Sequence, residues 1–172
     1  MAINTGSYLK GFYDKTTNLG LKAINSDFTL EIEGYEGSYL LVKQAPWPEL
    51  SPQGEIEIST PLGATAWQPQ QVKVAQQGSI TLYETVAGDI EQMMVDMLVN
   101  GGTFNAKIYE GTPQHYVRVK TMRDCFLQLD QPDRDWENRS QVLTFTGTIF
   151  YHYFGECEEG SGKAEDTLPY EG

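Results

Sequence analysis

Cations are scarce in this chain. Lys and Arg number 12 against 24 Asp and Glu, giving a formal net charge of −12 over 172 residues. Holding phosphates takes clustered cations, so the balance argues against a protein that grips nucleic acid, though not against a surface that keeps clear of it. Cysteine is equally sparse: Cys125 and Cys157 make no disulfide framework and read as two thiols in a reducing compartment. No run approaches the ~20 apolar residues of a membrane span. The first 26 residues carry Lys10, Asp14, Lys15 and Lys22 and no apolar h-region, so the expectation is no signal peptide, no membrane insertion and a cytoplasmic site of synthesis. Asn138-Arg139-Ser140 spells a glycosylation sequon, which has no consequence without a secretory route.

Catalytic signatures are also thin. His115 and His152 are the two histidines, both in strand-like segments, and no G-x-S-x-G or comparable nucleophile context accompanies them. His152 and Cys157 are too few for zinc, which takes three or four ligands. Asp130, Asp133, Asp135 and Glu137 form a dense acidic group, but the sharp-turn glycine of a calcium loop is missing, and Arg134 and Arg139 offer local ion pairs. Gly101-Gly102 follows a helix-like segment, whereas phosphate-cradling loops precede one. The expectation is no enzyme, no metal and no cofactor.

What is present is mostly β. Residues 1–26 sustain no period and read as an arm that packs on something else. In Asp27–Glu33, Phe28, Leu30 and Ile32 alternate with Thr29, Glu31 and Glu33, the period of a half-buried strand. Gly34–Gly37 supplies a turn, and Ser38–Lys43 returns to complete a hairpin. Three prolines exclude Ala45–Pro52 from any central strand. Glu55-Ile56-Glu57-Ile58 alternates again, and Val72–Gln76 and Ser79–Thr85 read as two further short strands.

One segment switches period. Ile90, Met93, Met94, Met97 and Leu98 fall on a single helical face, Asp89 and Glu91 sit at its start, and Asn100-Gly101-Gly102 ends it. This is one amphipathic core helix over residues 87–99. Strands resume at Phe104–Tyr109 and in the long run His115–Asp130, where Thr121 and Arg123 interrupt the apolar face and call for a bulge. Gln141–Phe154 closes the pattern, with Leu143, Phe145, Ile149, Tyr151 and Tyr153 on one face and Thr144, Thr146 and Thr148 opposite. Such strands reach ~45 Å, long for an ordinary domain. The chain thus divides into an arm (1–26), a single β domain (27–156) and an acidic flexible tail (157–172). Beyond Phe154 lie six acids and one lysine, so the folded part alone carries −7 (−12 minus −5).

The stretches GSITLYETVAGDIEQMMVDMLVNGGTFNAKIYEG and VRVKTMRDCFLQLDQPDRDWENRSQVLTFTGTIFYHYFGE, with hairpins before them, give an order of elements that resembles the tail tube proteins of contractile-tailed bacteriophages. More distantly it is similar to the haemolysin-coregulated tube protein of type VI secretion. The resemblance implies a β-sandwich or half-barrel of long antiparallel hairpins flanked by a helix. It further implies six-membered rings whose sheets join into one inner β-barrel, stacked as a conduit for DNA ejection. Partners would be further copies of the chain and the sheath, baseplate and tail terminator proteins, and the location a virion tail. An acidic lumen repels phosphates, so DNA slides through without adhering. Glu31, Glu33, Glu55 and Glu57 are the lumen candidates, because they alternate with Phe28, Leu30, Ile32, Ile56 and Ile58, which should be buried. The Pro-rich loop and the tail lie outside the core pattern and leave room for a baseplate or tail-completion relative. A non-catalytic β-sandwich presenting Trp47, Trp67 and Trp136 to carbohydrate is the alternative of another class.

Overall fold

The computed structural model describes residues 5–160. Nine strands and two α-helices follow in the order α1 (Gly6–Asn18), β1 (Thr29–Ile32), β2 (Val42–Gln44), β3 (Glu55–Ser59), β4 (Thr65–Pro69), β5 (Ala75–Tyr83), α2 (Asp89–Val99), β6 (Phe104–Gly111), β7 (Tyr116–Leu129), β8 (Thr144–His152) and β9 (Cys157–Glu159). Seven strands form one antiparallel sheet, ordered β1-β6-β7-β8-β5-β2 with β9 also on β7; β3 and β4 pair only with each other. The sheet curls until it is nearly closed into a barrel.

The fourteen-residue β7 makes this curl possible. Its first half pairs with β6 and its second half with β8, and the register shifts between Arg123 and Phe126. Asp124 takes a left-handed φ of 47° at that point and its N–H is received by the Asn105 side chain. This is the expected break in the Thr121–Arg123 region. An extra residue there bends the strand and lets one continuous element serve two half-sheets.

The core lies inside the curl: Leu30, Ile32, Ile80, Leu82, Ile108, Met122, Cys125 and Ile149 are fully enclosed. Helix α2 covers its open side with Ile90, Met93 and Met97, while Met94 packs against it half-buried. Leu98 points outward at 70% exposure, so the apolar stripe is narrower than the sequence suggests. Glu84, six residues ahead of Ile90, caps this helix: its carboxylate accepts the N–H groups of Ile90 and Glu91. Met97 O receives the Gly102 N–H at the other end.

Several expectations need correcting. Among the described residues there are two α-helices instead of one, because residues 6–18 of the expected irregular arm are helical. The hairpin of residues 27–43 does not form. Glu36–Leu41 coils into a 3-10 segment, and β1 and β2 go to opposite ends of the strand order. That short link holds the two sheet edges near each other. Residues 72–85 give one strand, β5, instead of two, and β4 was missed. Cys157–Glu159, assigned to the flexible tail, pairs as β9 with Arg118–Lys120. The rest of that tail, 161–172, lies outside the described residues.

Candidate assembly surface

The sheet turns two kinds of surface to solvent. Across β7, β8 and β5 the registers align Gln128 with Thr148 and Ser79, and Phe126 with Phe150 and Gln77. Phe126 and Phe150 stack at 4.8 Å. One step along, Thr146 stands beside Thr81, whose hydroxyl donates to the Gln44 side chain at 3.3 Å. Strands β5 and β8 contain no Asp, Glu, Lys or Arg at all. Their face away from the core is therefore amide, hydroxyl and aromatic ring, with no charge to attract or repel a polymer.

The four candidate glutamates do not share that face. Glu31 is half-buried on β1, opposite Lys107, and accepts a 3.4 Å hydrogen bond from the Tyr109 hydroxyl. That carboxylate and burial together push the Tyr109 phenol up to about 12, burial contributing most. Glu33 is exposed just beyond β1, and Glu55 and Glu57 stand on the separate β3–β4 hairpin. Ile56 and Ile58, expected in the core, are each 41% exposed. The reason is that, among the described residues, β3 pairs only with β4 and no layer covers either face.

That hairpin is exposed along its whole length. Every residue of β3 and β4 is exposed, Trp67 among them, and Leu62 at the tip adopts a left-handed φ of 64° with its side chain fully in solvent. Its base is anchored by the Pro-rich loop. Gln53 N–H bonds Gln71 O and Lys73 N–H bonds Ser51 O, closing the two arms together. The loop itself lies on the sheet of its own subunit, with Pro46 against Gly78. Pro48 is buried, and the buried Lys120 sends Nζ to Pro48 O at 2.7 Å and Glu49 Oε1 at 2.8 Å. The indole of Trp47 covers the same ammonium at 4.7 Å and Tyr153 lies at 5.7 Å. The Lys120 hydrogen bond holds the Glu49 carboxyl below its ordinary value.

The remaining candidates are dispersed. Trp47 sits in this clasp, Trp67 on the hairpin and Trp136 in the 130–143 loop, on three different elements. Asp135 uses its carboxylate to receive the Glu137 N–H within its own turn. His152 Nδ1 lies 3.3 Å from Arg123 O at the end of β8. Among the described residues no group of three His, Cys, Asp or Glu is placed to hold a metal, and no helix is long and apolar enough to cross a membrane. Cys125 is buried, which pushes its thiol up to about 12, and Cys157 is exposed.

A nearly closed antiparallel barrel flanked by one core helix, with a projecting hairpin, is a fold this chain shares with solved components of contractile injection systems. No family profile and no curated protein matches the chain in sequence. Among solved structures it is similar to a chain of the sheath–tube complex of the extracellular contractile injection system PVC in its extended state. The TM-score is 0.58 at 9% identity, covering 85% of this chain and 97% of that one. It is also similar to the tube-terminating cap of the anti-feeding prophage, with TM-score 0.53, 12% identity, and 81% and 93% covered. A chain of the anti-feeding prophage baseplate matches with TM-score 0.51, 15% identity, and 81% and 95% covered.

Proposed function

We propose that this chain is a structural, self-assembling subunit of a contractile tail, a tail tube protein whose six-membered rings stack into a conduit for DNA. The observation that carries the proposal is the free-standing β3–β4 hairpin. An isolated two-stranded hairpin is marginal in water, and this one exposes Ile56, Ile58 and Trp67 with no layer of the described residues beneath them. A neighbouring subunit supplies the missing layer. The outer edges of β1 and β2 are unpaired and extend the sheet from subunit to subunit. The partners follow from that assembly: further copies of the chain first, then sheath, baseplate and terminator. Its place is the virion tail, after synthesis in the bacterial cytoplasm.

In this reading the uncharged face of β5 and β8 lines the bore, so the cargo meets hydroxyls and amides. A second wall is kept in view because Glu33, Glu55 and Glu57 are exposed carboxylates: an acidic lining that repels phosphates. A role as ring-forming cap, baseplate or type VI component is the second reading, supported by the likeness to the anti-feeding prophage cap and baseplate. Electron microscopy of the purified protein decides between them. Long tubes support the tube subunit, closed single rings support the cap or baseplate role, and monodisperse monomers at high concentration overturn both.

A further inference from the structure

Helix α1 carries an apolar stripe that none of the other described residues buries. Tyr8, Leu9, Phe12 and Tyr13 recur at helical spacing, between 47% and 69% exposed, and no residue of the helix is buried. Tyr8 and Phe12 meet edge to face at 4.8 Å. Lys10 flanks the stripe on one side and Lys15, whose ammonium lies 5.7 Å from the Phe12 ring, on the other. Within an acidic chain this segment is basic: Lys10, Lys15 and Lys22 against Asp14 give +2 over residues 5–24.

The complementary surface is the outer face of α2. Val95, Leu98 and Val99 are 55%, 70% and 78% exposed, and Glu91 and Asp96 stand exposed among and beside them. One helix thus offers aromatics bordered by lysines and the other aliphatics bordered by acids. We propose that α1 of one copy docks on the outer face of α2 of a second copy, Lys10 and Lys15 facing Glu91 and Asp96. Ten residues, 19–28, join α1 to β1, enough extended chain to reach about 35 Å to a neighbour. This inference needs a second copy and otherwise stands apart from the tube reading: it concerns which surfaces meet, not what the assembly conducts.

Crosslinking tests it in a Cys157→Ser background, with Cys125 left buried. Chains carrying Phe12→Cys alone and Leu98→Cys alone are mixed, assembled and oxidised. A covalent two-chain product containing both substitutions is expected. Closure of the crosslink within single chains that carry both cysteines would place α1 on its own α2 and overturn the proposal; absence of any product would overturn it too. Charge exchange gives the independent arm. Lys10→Glu with Lys15→Glu should raise the concentration needed for assembly, and adding Glu91→Lys with Asp96→Lys should bring it back. Failure of that rescue, with every variant folded by circular dichroism, counts against the pairing. Binding of the wild type to phosphatidylserine vesicles, abolished by Phe12→Ser while no crosslink forms, would assign the stripe to a membrane surface and overturn the docking. Rings without crosslinks would remove this inference and leave the tube reading. Crosslinked dimers without rings would do the reverse.

Discussion

Pro46 lies on the bare backbone of Gly78. A Cβ placed on that glycine would come within 2.4 Å of the Pro46 Cβ and 2.7 Å of its Cγ. The contact presses the Pro-rich loop onto β5, and Lys120 clasps the same loop at Pro48 and Glu49, so the loop is held twice. Gly78→Ala should therefore lift the loop, at a cost of about 1–3 kcal/mol typical of overpacking. Chemical denaturation measures it; a midpoint equal to the wild type would mean that the loop yields freely and that Lys120 alone holds it.

The narrow stripe on α2 makes a sharp contrast between neighbours. Met97→Ala removes a side chain only 6% exposed and should cost about 2–5 kcal/mol. Leu98→Ala changes a side chain that stands mostly in solvent and should stay within about 0.5 kcal/mol in the isolated subunit. Equal losses at both positions would show that the outer face of α2 is covered within the monomer.

Acid should weaken the fold through two carboxyls. The Lys120 hydrogen bond lowers Glu49, and the paired Arg123 contacts, Nε–Oε1 at 2.5 Å and Nη2–Oε2 at 2.7 Å, lower Glu156. A carboxyl whose folded value is depressed adds stability above its unfolded value, here 4.5, and loses it as pH falls through the folded value. Both acids are solvent-accessible, so each effect is small. Unfolding curves between pH 6 and 3 should show the decline, and Arg123→Met should flatten part of it. An unchanged acid limb in that variant would remove Glu156 from the account.

The two proposed bore linings give opposite expectations for charge changes. Thr148→Lys places a cation on the uncharged face, one per subunit and so a ring of them in the assembly. It should slow DNA ejection from assembled particles, with the defect easing as salt rises. Glu33→Lys, Glu55→Lys and Glu57→Lys together shift each subunit by +6 and should slow ejection only if those acids line the bore. Glu31 is left alone, since a lysine there would oppose Lys107 across the strands. Wild-type ejection with the Thr148 substitution and slow ejection with the triple change would move the wall to the glutamates.

Much of the barrel was legible because long strands write their burial as period 2. Leu30 and Ile32, Ala106 and Ile108, and Ile149, Tyr151 and Tyr153 all fall where alternation puts them. The bulge in β7 showed itself as Thr121 and Arg123 breaking an apolar row. Period 2 does not, however, tell a strand that packs on a core from one that awaits a partner, which is why Ile56 and Ile58 were misassigned. Helix α1 was missed because Gly6, Gly11, Thr16 and Thr17 are poor helix formers. Its signal was still present as the spacing of Tyr8, Leu9, Phe12 and Tyr13. The destination of β2 was not legible at all, since six residues of 3-10 helix carry no pattern that distinguishes them from a turn. Nor was the Lys120 clasp, which joins residues more than seventy positions apart.

The bulge at Asp124 also bears on how such a chain changes over time. The register also slips at Val42/Gln44 and at Tyr109/Gly111, but the Asp124 slip lies where β7 passes from β6 to β8 and so bends the one strand that both half-sheets share. Insertion or deletion of a single codon there would reset the angle between the half-sheets in one step. In the proposed ring, the arc of each subunit would follow from that point of the gene, while substitutions along the uncharged strands would retune the wall and leave the curvature untouched.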